Sequence, residues 1–181
     1  MIWFTSDFHF AHQRDFIWKP RGFTSWKEAA YKIIDNYNAK IQDSDTVFIL
    51  GDIMLNNNDF GINCMKQLKG RKYLAYGNHD SNDRLSIFRR EQIFEDMNFG
   101  YRLTEGKYTF WCSHYPMKMG NHKEKHPVWN LCGHSHTNNK FADVIDCCYH
   151  TELDAHNNFP ISIEQIIRDI ESFKINKEVS L

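Results

Sequence analysis

The sequence predicts a mixed α/β fold in which a parallel sheet is followed by a second, partly antiparallel sheet. In the first half, short β-prone runs alternate with amphipathic helical segments, a pattern typical of βαβ units. In the second half, β-prone segments follow one another across turns without long helices between them. We expect a single domain over residues 1–181, because no linker, repeat or low-complexity tract divides the chain.

Three β-prone runs of the first half each end in residues that commonly bind metals. The runs cover residues 2–5, 46–50 and 72–76. They lead into Ser6-Asp7, Gly51-Asp52 and Gly77-Asn78-His79-Asp80, respectively. Ligands of open α/β sheets bind at the carboxyl ends of the strands, so we expect these polar residues to meet at one edge of the sheet.

Helices are predicted between these strands. The first covers residues 25–41, because Ser25 and Glu28 form a capping box ahead of apolar residues at helical spacing. Those apolar residues are Trp26, Ala29, Ala30, Ile33, Ile34 and Tyr37. A shorter helix is predicted over residues 59–68, closed by Gly70.

The second half is predicted to contain four strands and a closing helix. The strands cover residues 101–103, 108–113, 128–132 and 142–146. The helix covers residues 162–173, with Ser162 and Gln165 as a capping box. Its apolar face consists of Ile163, Ile166, Ile167 and Ile170.

Composition and charge argue against several classes of function and of binding site. A formal net charge of −1 provides no general attraction to nucleic acid or to an anionic membrane, so phosphate recognition must be local. Residues 1–5 form no basic leader, and no apolar stretch reaches the length of a membrane span. The five cysteines are odd in number and lack a CxxC pair, which argues against a disulfide framework and a thiolate zinc site. We therefore expect a cytoplasmic protein, away from membranes, with mostly buried, reduced thiols.

Five motifs carry the chemistry, and all follow β-like runs. They are Asp7-x-His9, Gly51-Asp52, Gly77-Asn78-His79-Asp80, Ser113-His114-Tyr115-Pro116 and Gly133-His134-Ser135-His136. In an extended chain, residues i and i+2 project to the same side, so Asp7 with His9, and His134 with His136, can each present two ligands together. Imidazole with carboxylate suits Mn, Fe, Zn, Ni or Co better than Ca. Each motif alone is more often a turn or surface polarity, and the prediction depends on their conjunction.

This order of motifs resembles that of the calcineurin-like metallophosphoesterase superfamily, over residues 1 to about 146. It is most similar to small stand-alone members, whose first motif reads Ser-Asp-x-His-Phe-x-His, here residues 6–12. The resemblance implies a four-layer sandwich of two mixed β-sheets flanked by helices. It also implies two divalent metal ions, which we expect to be Mn²⁺, or otherwise Fe, Zn, Ni or Co.

The resemblance further implies a role for each motif residue. One metal would be bound by Asp7, His9 and His136, and the other by Asn78, His114 and His134. Asp52 would bridge the two metals. His79 would act on the leaving group or a phosphate oxygen, with Asp80 orienting its ring. Some relatives carry an extra acidic residue shortly after Gly-Asp, whereas here Ile53 and Met54 follow.

The function predicted on this basis is hydrolysis of a phosphate mono- or diester by a hydroxide that two metals activate. The substrate is expected to be a small nucleotide-like or organic phosphate. One alternative is a non-catalytic metal-binding scaffold on the same fold, against which the presence of His79 argues. Another is a nuclease, which is not favoured because no basic stripe with interleaved aromatic residues is present. The sequence makes no prediction of oligomeric state.

Further polar residues receive weaker assignments. His12, Lys19 and Arg21, and the basic loop 121–126, either contact substrate phosphate or form solvated loops. Four further polar residues are irregularly spaced and are therefore predicted to be ordinary surface residues rather than ligands: Asp146, His150, Asp154 and His156. The cysteines are interpreted as structural.

Overall fold

The computed structural model describes residues 1–120, 125–141 and 146–179. Its first half contains β1 (Ile2–Thr5), α1 (Asp15–Trp18), α2 (Trp26–Lys40), β2 (Thr46–Ile49), α3 (Asn58–Lys66), β3 (Arg71–Ala75), α4 (Asn82–Arg90) and β4 (Asp96–Asn98). Its second half contains β5 (Tyr101–Glu105), β6 (Tyr108–Cys112), β7 (Val128–Cys132), β8 (Cys148–His150), a 3₁₀ turn (Leu153–His156), β9 (Ile161–Ser162) and α5 (Ile163–Val179). Within these described ranges, no helix combines the length and apolarity that crossing a membrane requires.

The strands form two mixed sheets. The larger sheet has the order β4-β3-β2-β1-β9, in which β1 to β4 are parallel and β9 is antiparallel to β1. The smaller sheet has the order β5-β6-β7-β8, in which β5 is antiparallel to β6 and the other pairs are parallel. The predicted mixed α/β fold with two mixed sheets and flanking helices is confirmed.

The larger sheet separates two apolar cores, because successive side chains of a strand point to opposite faces. Val47 and Ile49 belong to the core that α2, α3 and α4 cover. Phe48 and Leu50 belong to the core shared with the smaller sheet and with α5. The residues of β2 are therefore buried on both faces of the sheet, and its carboxyl end is firmly placed.

The predicted bounds of α2 and α3 hold to within two residues, whereas α5 extends to Val179, six residues beyond its predicted end. Ser25 accepts a hydrogen bond from the backbone N–H of Glu28, with N and Oγ 3.2 Å apart, and so caps α2. The Glu28 carboxylate accepts hydrogen bonds from the backbone and the hydroxyl of Thr24. Helix α3 begins at Asn58, one residue before the predicted start, and the Asn57 side chain caps it by accepting from the backbone N–H of Phe60.

Several short elements were missed by the sequence analysis. Helix α4 buries only Leu85 and Phe88, too few residues to produce a clear helical period. Strands β4, β8 and β9 have three, three and two residues, too short for an alternating pattern. Of the strand predicted over residues 142–146, residues 142–145 lie outside the described part of the chain, and Asp146 lies in a turn.

The 3₁₀ turn after β8 is fixed by His156. Its Nε2 lies 2.8 Å from the carbonyl oxygen of His150, and its ring stacks on Tyr149 with centroids 5.8 Å apart. Burial lowers the pKa of His156 to about 4. The prediction of surface polarity was wrong for His150, which is fully buried in β8, and for His156, which is largely covered.

The His156 environment predicts acid sensitivity of the fold. Because the folded-state pKa of about 4 lies below the ordinary value of 6.5, the unfolded chain takes up the proton first. The free energy of unfolding should therefore fall as pH decreases from 6.5 to about 4, by up to roughly 3 kcal/mol from this group. In urea titrations with chelator present, His156→Gln should flatten this pH dependence. His126→Gln, at an exposed position, should leave the dependence as in wild type; equal slopes in all three proteins would contradict the assignment.

Candidate metal centre

The loops that follow β1 and β2 run side by side beyond the ends of the strands. The backbone N–H groups of Asp7, His9 and Phe10 donate to the carbonyls of Gly51, Asp52 and Ile53, at N–O distances of 3.0, 3.1 and 3.0 Å. These bonds extend the parallel pairing of the two strands. They bring the side chains of Asp7, His9 and Asp52 to the carboxyl edge of the larger sheet, where the sequence predicted them.

Most of the candidate ligands have left-handed backbone conformations. The φ angles are 57° for Asp7, 50° for His9, 57° for Asp52, 74° for His134 and 49° for His136. Residues other than glycine rarely adopt this region, and each such residue costs about 1–3 kcal/mol unless its surroundings hold it in place. The expected i, i+2 projection from an extended backbone was therefore wrong: tight, strained loops aim these side chains.

Glycines allow the loops of the two sheets to meet. Gly51 has a φ of +89°, and a Cβ there would lie 2.7 Å from the Cα of Gly77 and 2.6 Å from the Nδ1 of His114. A Cβ on Gly133 would collide with the Asp7 carboxylate and the Ser6 hydroxyl. The glycines of the motifs are thus required for close approach of the chain.

One group of side chains gathers around Asp7. Its Oδ1 lies 3.7 Å from the Nε2 of His9 and 3.7 Å from the Nε2 of His136, and these two nitrogens are 3.1 Å apart. The Oδ2 of Asp52 lies 3.7 Å from the same Nε2 of His9. Four atoms from three separate loops therefore converge on one small space.

A second group gathers around His114. Its Nε2 lies 2.9 Å from the Oδ1 of Asn78 and 3.1 Å from the Nδ1 of His134. It also lies 3.6 Å from the Oδ1 of Asp52. Asp52 thus directs one carboxylate oxygen toward each group, and all seven side chains predicted as metal ligands lie together.

The Asp7 group has the properties of a cation site. Asp7 Oδ2 accepts from the Ser6 hydroxyl and the His134 backbone, at 2.5 and 3.0 Å. Oδ1 is buried without a hydrogen-bond partner among the described residues. Burial acts to raise the pKa of Asp7, but the nearby imidazoles of His9, His114 and His136 hold it below its usual range. An ionised, unpaired oxygen beside two imidazole nitrogens favours a bound cation.

The His114 group supports the same conclusion. The Nδ1 of His114 lies 2.8 Å from the carbonyl oxygen of Leu50, which can only accept, so the ring proton lies on Nδ1. The Nε2 lone pair therefore faces the amide oxygen of Asn78. Burial lowers the pKa values of His9 and His134, which favours the neutral rings that metal binding needs. Mixed nitrogen and oxygen ligands suit Mn, Fe, Zn, Ni or Co.

Comparison with known proteins identifies the family. The family model described as calcineurin-like phosphoesterase matches residues 1–179. The chain belongs to this family. The resemblance drawn from the order of the motifs is confirmed, and membership implies a metal-dependent phosphoesterase at the level of the superfamily.

Individual relatives give no further assignment of function. An uncharacterised protein from Methanocaldococcus jannaschii is 25% identical over 188 residues, which cover 99% of this chain and 96% of the relative. The crystal structure of a protein of unknown function from Aquifex aeolicus is 24% identical, with a TM-score of 0.68 and coverage of 93% and 98%. An archaeal phosphodiesterase structure is 17% identical, with a TM-score of 0.49 and coverage of 83% and 82%. The similarity to the Aquifex aeolicus structure supports the fold alone.

His79 lies at the open side of the Asp7 group, with its ring centroid 5.5 Å from that of His9. Its backbone N–H donates to Asp52 Oδ1 at 2.9 Å, and its carbonyl accepts from Arg84 at 2.6 Å, so the backbone is held on both sides. Its side chain is 41% exposed, with Nε2 3.8 Å from Asp52 Oδ2. The ring therefore contacts solvent on one side and faces the Asp7 group on the other. It is also close enough to His9 and Asp52 to form a further possible ligand group.

Asp80 does not have the predicted role of orienting the His79 ring. Its carboxylate accepts from the backbone N–H groups of Asp52, Ile53 and Gly77, at 2.9, 3.1 and 2.9 Å. Burial raises the pKa of Asp80 to about 6. Asp80 therefore connects the loop after β2 to the loop after β3, and it positions Asp52 through the backbone.

Two of the weaker assignments are also corrected. Arg21 is buried, and its guanidinium donates to Asp154 at 2.7 and 3.0 Å and to the Asp7 carbonyl at 2.8 Å. Arg21 is thus neither a solvated residue nor free to contact phosphate. Asp154, predicted to be an ordinary surface residue, is instead mostly buried against Arg21. Lys19 pairs with Asp15 on the surface, and both are exposed. His12 lies beside the site, with its ring centroid 5.7 Å from that of His9.

The predicted basic loop 121–126 is only partly described. Residues 121–124 lie outside the described ranges. Lys125 and His126 are exposed. A role in contacting phosphate thus remains a prediction for this loop.

A second polar cluster lies behind the site, in β7 and β8. The thiols of Cys132 and Cys148 are buried, with their sulfurs 3.2 Å apart. The Nδ1 of His150 lies 3.0 and 3.2 Å from the two oxygens of Glu152. Burial raises the pKa of Cys132 well above its usual value, which keeps the thiol protonated when no metal is bound. The cluster is a hydrogen-bonded part of the core, as predicted for the cysteines, of which four are buried.

The role found for Asp80 predicts a loss of stability in Asp80→Ala. This substitution removes the acceptor of the backbone N–H groups of Asp52, Ile53 and Gly77. The free energy of unfolding should fall by about 1–3 kcal/mol in urea titrations. His79→Gln is the control, since its partly exposed ring leaves these bonds intact. Equal stability of Asp80→Ala and wild type would show that the Asp80 carboxylate does not hold the two loops together.

Proposed function

We propose that this protein hydrolyses a phosphate mono- or diester with two divalent metal ions, in line with its family. The observation that supports this most strongly is the position of Asp52. Its two oxygens lie 3.7 Å from the Nε2 of His9 and 3.6 Å from the Nε2 of His114, one in each group. A carboxylate in this position is suited to bridge two ions and to set their separation.

The proposed ligands follow the two groups of side chains. Asp7, His9 and His136 would hold one ion, and Asn78, His114 and His134 the other, with Asp52 shared. The donor set favours Mn²⁺, with Fe, Zn, Ni and Co as the other candidates. Asn78, His134 and His136 are on the exposed side of the groups, which leaves room for a substrate phosphate.

When bound, two divalent ions would attract the phosphate, lower the pKa of an attacking water and neutralise charge on the phosphoryl oxygens. The protein's own residues then have defined tasks. Asp7 and Asp52 provide the negative charges that hold the ions. His79, which is partly exposed and held at its backbone, would donate a proton to the departing alkoxide or stabilise a phosphate oxygen.

The proposed substrate is a small nucleotide-like or other organic phosphate. The formal net charge of −1 provides no broad basic surface for a nucleic-acid backbone. The free, mostly buried cysteines are in keeping with a cytoplasmic location, which we also propose. A panel of phosphomonoesters, linear diesters, cyclic nucleotides and pyrophosphates, assayed with added Mn²⁺, tests the activity directly. Metal binding without turnover on any substrate would favour the scaffold alternative.

The proposed bridging position of Asp52 predicts how many metal ions the protein binds and how Asp52→Asn changes their binding. Protein saturated with Mn²⁺ should contain two ions per chain by elemental analysis. Asp52→Asn should weaken both ions together and abolish turnover, because its carboxylate faces both groups. His136→Ala is the matched comparison and should weaken chiefly one ion. If Asp52→Asn loses a single ion and keeps its activity, Asp52 is not the bridge.

The His79 hypothesis predicts a dependence on the leaving group. His79→Ala should retain both ions but lose about 10²–10⁴-fold in turnover of esters with alkoxide-like leaving groups, which need a proton. The loss should be smaller for a nitrophenyl ester, whose leaving group departs as a stable anion. The measurement is the ratio of wild-type to mutant rates across a leaving-group series at saturating metal, with the exposed His126→Ala as control. A uniform loss would indicate stabilisation of phosphate charge, and loss of an ion would make His79 a ligand.

A further inference from the structure

His136 differs from the other histidines of the site because its second ring nitrogen contacts a carboxylate. The Nδ1 of His136 lies 3.1 Å from the Oδ2 of Asp154, while its Nε2 faces His9 and Asp7. By contrast, the Nδ1 of His9 has no hydrogen-bond partner among the described residues. The orientation of His136 therefore depends on a residue that lies outside the proposed ligand set.

The contacts of Asp154 determine where the ring proton of His136 lies. A carboxylate accepts hydrogen bonds and a guanidinium donates them. The Nη2 of Arg21 is 3.5 Å from the same Nδ1, whereas the carboxylate oxygen is 3.1 Å away, so the contact with Asp154 is the stronger one. The Nδ1–H of His136 therefore donates to Asp154, which leaves the lone pair on Nε2.

Arg21 holds Asp154 in this position. Its Nε donates to Asp154 Oδ1 at 3.0 Å and its Nη2 to Oδ2 at 2.7 Å, a bidentate arrangement with defined geometry. The same Nη2 donates to the backbone carbonyl of Asp7 at 2.8 Å. The Arg21 side chain is 2% exposed and that of Asp154 is 12% exposed, so water competes little for these bonds. Arg21 thus links Asp154 to the backbone of a second proposed ligand.

We propose that Asp154, held by Arg21, is a positioning residue that keeps the proton of His136 on Nδ1 and presents Nε2 to a metal ion. The inference rests on the proposed function for its catalytic consequence. Partners of this kind orient metal-binding histidines, and their removal typically reduces metal affinity by about 10–100-fold. The ion bound through Asp7, His9 and His136 should therefore depend on Asp154 more than the other ion does.

The first test measures the position of the proton in the absence of metal. In ¹⁵N-labelled protein with chelator, at a pH where titration shows the His136 ring to be neutral, long-range ¹H–¹⁵N spectra distinguish the two ring tautomers. Wild type should show His136 protonated on Nδ1. Asp154→Ala should shift the proton toward Nε2, while Asp154→Asn, which retains an acceptor oxygen, should shift it less. An unchanged tautomer in Asp154→Ala would overturn the proposal.

The second test measures the two Mn²⁺ affinities by calorimetric titration. Asp154→Ala should weaken one ion by about 10–100-fold and leave the other within a few-fold of wild type. Asp169→Ala is the matched control, because Asp169 also pairs with a cation, at 2.8 Å from Lys140, and its side chain is similarly covered at 15% exposure. Equal affinities in Asp154→Ala and wild type, or the same loss in Asp169→Ala, would overturn the proposal.

A second variant keeps the test decisive if Asp154→Ala does not fold. Arg21→Lys retains the charge, but an ammonium cannot reproduce the bidentate contact with Asp154 together with the bond to the Asp7 carbonyl. It should weaken the same ion by a smaller factor, and unchanged binding of that ion would contradict the proposal. Failure of wild type to bind any of Mn²⁺, Fe²⁺, Zn²⁺, Ni²⁺ and Co²⁺ would instead refute the proposed function, and the tautomer measurement would still decide the role of Asp154.

Discussion

The candidate metal centre depends on the hydrogen bonds that continue the pairing of β1 and β2 into the loops beyond them. The strands pair in parallel as far as Thr5 and Ile49, and the loops then remain in register through bonds from Asp7 and His9 to Gly51 and Asp52. This pairing sets the distance between the Asp7 and Asp52 carboxylates. Asp80 joins the loop after β3 to the loop after β2, because its carboxylate accepts hydrogen bonds from the backbone N–H groups of Gly77 and Asp52. The geometry of the site is thus mainly a property of the backbone.

The same arrangement requires an unfavourable backbone, because five of the seven proposed ligands have positive φ values. Such conformations persist only where neighbouring bonds fix them. Here three features hold the backbone in place. They are the hydrogen bonds donated by the backbone N–H groups of Asp7 and His9, the Asp80 carboxylate, and the close contacts at Gly51 and Gly133. Packing therefore provides the free energy that holds the ligands in place before any ion binds, so little ordering is left for binding to accomplish.

Much of the fold and the site could be predicted from the sequence, because the relevant signals are local. Apolar runs before Asp7, Asp52 and Asn78 marked strands, and short motifs marked the loops. The pairing of Arg21 with Asp154 could not be predicted, since 133 positions separate these residues and neither stands in a regular pattern. The role of Asp80 was missed for a different reason: a carboxylate that bonds to backbone N–H groups has no partner side chain that a sequence motif could reveal.

Each of the two groups of ligands combines residues from both sheets, and this affects the stability of the whole molecule. Asp7, Asp52 and Asn78 follow strands of the five-stranded sheet, whereas His114, His134 and His136 follow strands of the four-stranded sheet. An ion held jointly by His9 and His136 would cross-link positions 127 residues apart in the chain. Clips that close such long loops restrict the unfolded chain most strongly. Metal binding would thus cross-link the two sheets reversibly and stabilise the folded protein. The metal-free protein would unfold, and be cleaved by proteases, more readily.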